Sequence, residues 1–185
     1  MKKQQTSLIV VATLLVVIAA LSRVILYPHN FSPIIGMALF AGAVIMDKKL
    51  AFVLPIAAML LSDVLFEVFN IAPGFWGWGQ IVGYGILALI TVMAFTMKNR
   101  SVWNILGYSV ASSLLFFFLS NSGYFFIENH TYHTYPQTAS GYVACLEAGI
   151  PFLKSGVLAD LTYSFVLFGS YFLLQKFAFN KKVTA

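Results

Sequence analysis

Two carboxylates and one guanidinium stand inside long apolar stretches of this sequence, where ionisable groups are rare. Asp63 and Asp160 lie within such stretches, and Arg23 closes the first of them. An ionised side chain deep in a membrane costs about 3 kcal/mol or more, so such residues usually line a bundle interior or a cavity. Asp63, Asp160 and Arg23 are therefore candidates for binding a ligand. The alternative is structural: Arg23 pairs with one of the aspartates and holds helices together.

Four further polar residues are candidates for ligand contacts, namely His29, Asn30, Glu67 and Asn121. Together with Arg23, Asp63 and Asp160 we call them the polar layer. His29 and Asn30 stand between Pro28 and Pro33. Each proline disfavours helix at the residue before it and lacks a backbone donor. Within a membrane, such a break is tolerated only where protein or a water-filled cavity satisfies the free backbone groups. The segment is therefore either one wall of a binding site or a tight turn between helices.

Two pairs of residues at short spacing have both a functional and a structural interpretation. Trp76 and Trp78 can stack on a ring-bearing ligand, so Trp78 joins the candidate ligand contacts; the alternative is anchoring at the membrane interface. Ala38 and Gly42 are four residues apart, a spacing that lets two helices approach closely. For this pair we expect helix packing first and docking of a partner second.

Catalysis and metal binding are poorly supported. Three residues that could suggest a metal site fall in a polar stretch that we expect to be a flexible loop over 128–140: Glu128, His130 and His133. Cys145 is expected to be a small buried residue rather than a metal ligand. The sequence contains no Ser-His-Asp order, HExxH pair, Gly-rich phosphate loop or CxxC pair. We expect no cofactor and no enzyme, and a lipid-active enzyme using the two aspartates as acid and base is the less favoured alternative.

The elements that must position these residues are membrane helices. Hydrophobic residues make up 60% of the chain and charged residues 9%, which excludes an ordinary soluble domain. A helix needs about 20 apolar residues to cross a bilayer. Six apolar runs are candidates, of which the second is short: 7–25, 34–46, 50–69, 81–97, 102–126 and 155–177. A short interfacial helix over 141–152, closed by Gly149 and Pro151, is expected before the last run. The sequence thus predicts one all-α, polytopic membrane domain with six transmembrane helices over residues 1–185.

The positive charges predict the orientation of these helices. If the N-terminus is cytoplasmic, nine of the eleven Lys and Arg residues fall inside and only Arg23 and Lys154 fall outside. We therefore expect a multi-pass protein of the inner (cytoplasmic) membrane with both termini in the cytoplasm. The polar layer then lies near the outer face of that membrane. The first run also has features of a secretory signal peptide, but it continues past Ala20. No polar relay crosses the cytoplasmic half, which argues against a pump or channel.

Three segments carry a resemblance to a known family. They are PHNFSPIIGMALFAGA from Pro28, LPIAAMLLSDVLFE from Leu54 and SGYVACLEAGIPFLKSGVLADLTYSFVLFG from Ser140. They resemble a family of small bacterial membrane proteins of unknown function. More distantly, the six-helix size, the topology and the outward polar layer are similar to the substrate-binding S components of energy-coupling factor (ECF) vitamin transporters.

The second resemblance implies capture of a vitamin-like micronutrient from outside, with release driven by a separate transmembrane and ATPase module. It puts Asn30, Asp63, Asn121 and Asp160 where ligand contacts are expected. S components commonly carry an AxxxA-like motif on the first helix, and this chain has none there. A partner module would then dock elsewhere, for example on Ala38 and Gly42, or the subunit acts alone. The alternative from another class is a structural or accessory membrane subunit.

Overall fold

The computed structural model describes residues 2–25 and 31–176, and in these ranges the protein is helical without strands. In chain order the helices are α1 (Lys2–Ile25), α2 (Ile34–Val44), α3 (Lys48–Val68), α4 (Trp78–Ala94), α5 (Val102–Gly123), α6 (Asn129–Tyr132) and α7 (Ala139–Leu174). A π-helical turn, Tyr124–Glu128, joins α5 to α6. The prediction of an all-α fold is confirmed.

Four helical stretches are long and apolar enough to cross a membrane: Ser7–Val24, Lys48–Val68, Val102–Tyr132 and Ala139–Leu174. Several apolar helices of this length indicate a membrane protein. The helices α2 and α4 are shorter, with 11 and 17 residues. An 11-residue helix is only about 16 Å long, roughly half the thickness of the hydrocarbon core.

Helix α2 forms the centre of the bundle. It packs against α1, α3, α4, α5 and α7, and every residue from Ile35 to Val44 is buried. A helix that is apolar on all sides is stable only when other elements surround it. Gly42 lets α4 come close, since a Cβ at this position would lie 2.5 Å from the Thr91 carbonyl oxygen. Ala38 and Gly42 are thus enclosed by the protein's own helices.

Where α2 ends and α3 begins, side chains fix the ends of the helices. Asp47 caps α3 by accepting hydrogen bonds from the backbone N–H groups of Lys49 (2.9 Å) and Leu50 (3.0 Å). At the end of α2, Arg100 Nε donates to the Ala43 carbonyl oxygen (2.8 Å). A cation at a helix C-terminus also interacts favourably with the helix dipole.

The predicted break at Gly149 and Pro151 is wrong, because α7 runs unbroken for 36 residues through both. A proline removes one backbone donor from a helix, and a long helix held by neighbours tolerates that loss. Gly149 serves packing instead: a Cβ there would lie 2.7 Å from Asn121 Oδ1. The predicted flexible loop over 128–140 is also wrong in its first part, where Glu128 belongs to the π-helical turn and His130 to α6.

The functional candidates collect at one end of the bundle. Arg23 at the end of α1 contacts Asp63 late in α3, and Asp63 contacts Gln80 early in α4. The end of α5 and the first part of α7 meet at Asn121 and Gly149. We call this region, built from the ends of α1, α3 and α5 and the starts of α2, α4 and α7, the polar end.

Candidate ligand-binding cavity

A cavity of about 670 Å³ lies at the polar end. Its walls come from α1, α2, α3, α4, α5 and α7, from the connection between α3 and α4, and from the π-helical turn. The side chains that line it with polar groups are Arg23, Ser32, Ser113, Ser120, Asn121, Tyr124 and Asp160. Most of the remaining wall is apolar or aromatic and includes Phe31, Phe66, Trp76, Phe116, Phe117 and Phe152.

One wall contains an ion pair between α1 and α3. Arg23 Nη1 pairs with Asp63 Oδ1, and the same nitrogen donates to the Ser62 hydroxyl (2.6 Å). The guanidinium also lies over the Phe66 ring, 4.6 Å from its centroid. Of the two aspartates proposed as partners for Arg23, the structure therefore gives Asp63.

Asp63 is enclosed behind Arg23 and does not line the cavity. Its side chain is 1% exposed. Its second oxygen, Oδ2, accepts hydrogen bonds from the Gln80 side-chain amide (2.9 Å) and the Tyr84 hydroxyl (2.8 Å). Both carboxylate oxygens are thus satisfied by protein donors. Such an arrangement ties α1, α3 and α4 together and orients Arg23 at the cavity wall.

The connection between α3 and α4 is shaped by Glu67 and Gly74. Glu67 is exposed, and its Oε2 accepts a hydrogen bond from the Gly74 backbone N–H (3.0 Å). Gly74 lies so close to α3 that a Cβ would be 2.0 Å from the Asp63 carbonyl oxygen. Its own carbonyl accepts from Gln80 (2.9 Å). Glu67, a candidate ligand contact, therefore holds this connection and is not part of the cavity wall.

Asp160 faces the cavity from α7. It is 1% exposed, and Ser113 on α5 donates a hydrogen bond to its Oδ2 (2.6 Å). One turn earlier on α5 and one turn later on α7, Ser109 Oγ donates to Ser164 Oγ (2.6 Å). Among the described residues, Ser113 is the hydrogen-bonding partner that the structure gives Asp160. The two aspartates thus occupy different environments within one polar end.

Asn121 lines the cavity where α5 meets α7. Its side-chain amide donates to the Phe117 carbonyl (2.7 Å), and the amide group packs against Gly149. Cys145 is buried beside it, with its thiol directed at the Asn121 carbonyl (3.7 Å). Cys145 therefore occupies the small buried position expected of it.

The remaining candidates lie at the edge of the cavity or outside it. Trp76 lines the cavity, whereas Trp78 is 65% exposed and is not part of the wall. His29 and Asn30 lie outside the described residues. The next residues along the chain, Phe31 and Ser32, also stand before Pro33, and both line the cavity.

Sequence reasoning did not single out several polar residues of this region as site residues, among them Ser32, Gln80, Tyr84 and Ser113. Hydroxyl and amide side chains are common in membrane helices, and spacing alone does not reveal which of them share a wall. The hydroxyl oxygen of Ser32 is buried and has no hydrogen-bonding partner among the described residues. Tyr84 and Gln80 share one face of α4 because they are four residues apart, a signal that could have been used.

The described residues contain no group of three or more His, Cys, Asp or Glu side chains arranged to hold a metal ion. His130 and His133 are both exposed. The Glu128 carboxylate instead accepts a hydrogen bond from the Gly79 backbone N–H at the start of α4. An acidic group is favourable at that helix end because of the helix dipole.

The fold and the cavity define an all-helical membrane protein with a partly polar chamber at one end of its bundle. The chain belongs to the family of unknown function DUF6580, whose family model matches residues 2–182. The expectation of membership in an uncharacterised family is thereby confirmed. No curated protein and no solved structure matches the chain.

Proposed function

We propose that this protein captures a small solute, such as a vitamin-like micronutrient, from the outer side of a membrane for uptake. The observation that carries the proposal is the cavity of about 670 Å³. Binding sites for small molecules are typically clefts of roughly 300–1,000 Å³, mostly apolar, with a few polar groups that fix orientation. Arg23, Asn121 and Asp160 supply such groups between aromatic walls.

The proposal includes an orientation and a location. We infer six membrane segments in an inner membrane, with both termini in the cytoplasm, from the distribution of Lys and Arg. In that orientation the polar end, with Arg23 and Asn121, faces outward. The short helices α2 and α4 are then the second and fourth segments.

The proposal also extends to partners, by the similarity to ECF S components. Release of the solute into the cell would require a separate transmembrane and ATPase module. Because Ala38 and Gly42 are buried, such a module would dock on another surface of the bundle. The outer surface of α1 offers an apolar stripe for such contact at Val10, Leu14, Ile18 and Leu21.

A second candidate function is that of a structural or accessory membrane subunit. The observation in its favour is the complete set of protein partners around Asp63, which joins three helices without any ligand. A lipid-active enzyme using both aspartates has less support, since only Asp160 lines the cavity.

Depletion of solutes from the growth medium tests uptake. Gly83 on α4 lines the cavity, and a Cβ there would have no heavy atom within 4 Å, so we expect Gly83→Leu to place its side chain in the cavity. Gly85 has the same free space but is exposed and outside the wall, which makes Gly85→Leu the matched control. Cells with the natural protein or Gly85→Leu should deplete one solute faster than cells with Gly83→Leu. Equal depletion by all three strains would contradict uptake through this cavity.

A further inference from the structure

Of the ionisable side chains that line the cavity, Arg23 has an oppositely charged partner, and Asp160 has none among the described residues. Among the described residues, the structure gives one ion pair, in which Arg23 is neutralised by Asp63. Asp160 lines the same cavity with a serine hydroxyl as its partner. Lys154, the nearest cation along α7, is exposed and does not belong to the wall. The cavity wall therefore contains a carboxyl group to which none of the described residues supplies a cation.

A buried carboxylate is stabilised by a hydrogen-bonded cation, because its lost hydration must be replaced. Ser113 offers one hydrogen bond to Oδ2 of Asp160. A carboxylate has about four acceptor positions on its two oxygens, so acceptor positions of Asp160 remain for further donors on the cavity side. A ligand with a protonated nitrogen would supply both the charge and the donors.

The space beside Asp160 suits a flat group. Gly156 is one turn before Asp160 on the same face of α7, and a Cβ there would meet no heavy atom within 4 Å. Aromatic rings of Phe116, Phe117 and Phe152 line the same cavity. Aromatic faces attract cations as well as other rings, so they favour a planar ligand that carries positive charge.

We propose that the cavity selects a planar, largely apolar solute whose protonated nitrogen, as in an amine, an amidine or an aminated heterocycle, pairs with Asp160. Arg23, already paired with Asp63, borders the other part of the cavity through its remaining guanidinium donors and Phe66. This inference rests on the proposed function and specifies its substrate class.

Three flat probes of nearly equal size test the proposal with the purified full-length chain in detergent. Benzamidine is cationic, benzamide is neutral and benzoate is anionic, and their binding can be compared by calorimetry. We expect benzamidine to bind at least tenfold more tightly than benzamide and benzoate. Equal or tighter binding of benzamide or benzoate, or no binding of benzamidine, would overturn the proposal. This comparison needs no variant and is independent of how any substitution affects folding.

Variants locate the binding site. Asp160→Asn should abolish the preference for benzamidine, whereas Glu147→Gln, an exposed carboxyl on the same helix, should keep it. Gly156→Leu should block benzamidine by filling the space, and Gly169→Leu, at an open position outside the cavity wall, should not. Retained preference for benzamidine in Asp160→Asn would overturn the pairing with Asp160, and undiminished binding to Gly156→Leu would overturn the placement of the ligand beside it. A captured natural solute without a protonated nitrogen would also overturn it, while leaving the proposed uptake function intact.

Discussion

Asp63 receives a guanidinium, an amide and a phenol hydroxyl, whereas Asp160 receives one serine hydroxyl. Both residues are aspartates, so the difference between them follows from where each carboxyl group lies in the bundle. Asp63 is suited to hold helices together, and Asp160 is suited to meet a ligand. Their apolar sequence surroundings identify both as unusual, but the sequence contains no signal that assigns Arg23 to one of them. That assignment depends on how α1 and α3 pack.

Asp63→Asn should destabilise the protein strongly. The substitution leaves the charge of Arg23, which is 14% exposed at the cavity wall, without its buried partner. Breaking a buried ion pair costs roughly 3–5 kcal/mol, and we expect a loss toward the lower end of that range because Arg23 is partly exposed. Thermal unfolding of the purified protein in detergent should show a clearly lower midpoint. Asp160→Asn is the comparison: Asp160 has no cationic partner among the described residues, so the midpoint of this variant should stay close to that of the natural protein. Equal midpoints for both variants would contradict the different roles assigned to the two aspartates.

At the scale of elements, α2 and α7 show which properties of a helix the sequence predicts and which it does not. Small and apolar residues correctly indicate that α2 is a close-packing helix. Its length was overestimated, because the apolar run continues to Met46 although the helix ends at Val44. In α7, Gly149 and Pro151 read locally as a helix end, but contacts with α5 keep the helix continuous. Such tertiary contacts override local helix signals and cannot be read from residue order.

Gly42→Leu should separate α2 from α4. Its Cβ alone would lie 2.5 Å from the Thr91 carbonyl oxygen and 2.7 Å from Ala94 Cβ. Overpacking of this kind typically costs about 1–3 kcal/mol, so the thermal midpoint in detergent should fall. Gly107→Leu on α5 is the control, since a Cβ there has no heavy atom within 4 Å. A thermal midpoint unchanged by Gly42→Leu would contradict the close contact between α2 and α4.

At the scale of the whole molecule, the charged groups fall at two opposite ends of the helix bundle. The cavity and its ionisable groups occupy one end, while Asp47, Arg100 and Lys48 lie at the other. Lys48 there stacks over the Phe95 ring, 3.6 Å from its centroid. Charge counting along the sequence anticipates this division into two ends. The cavity itself was not predictable, because it depends on which side chains of six helices leave space between them.

The orientation can be tested by cysteine labelling in a Cys145→Ser background. Thr131 is exposed beyond the polar end, and Met46, 67% exposed, lies at the opposite end. In intact cells a membrane-impermeant maleimide should label Thr131→Cys. Met46→Cys should react only after the membrane is permeabilised, because the excess of Lys and Arg places that end in the cytoplasm. The reverse pattern would contradict the proposed orientation and an outward-facing cavity.

Mass spectrometry of small molecules that co-purify with the protein tests solute capture most directly. The natural protein and Gly85→Leu should carry the same enriched compound, in amounts up to one per chain, after gentle purification in detergent. Gly83→Leu, which fills the cavity from α4, should have lost it. An enriched compound retained equally by Gly83→Leu, or no compound enriched with the natural protein, would contradict capture of a solute in this cavity.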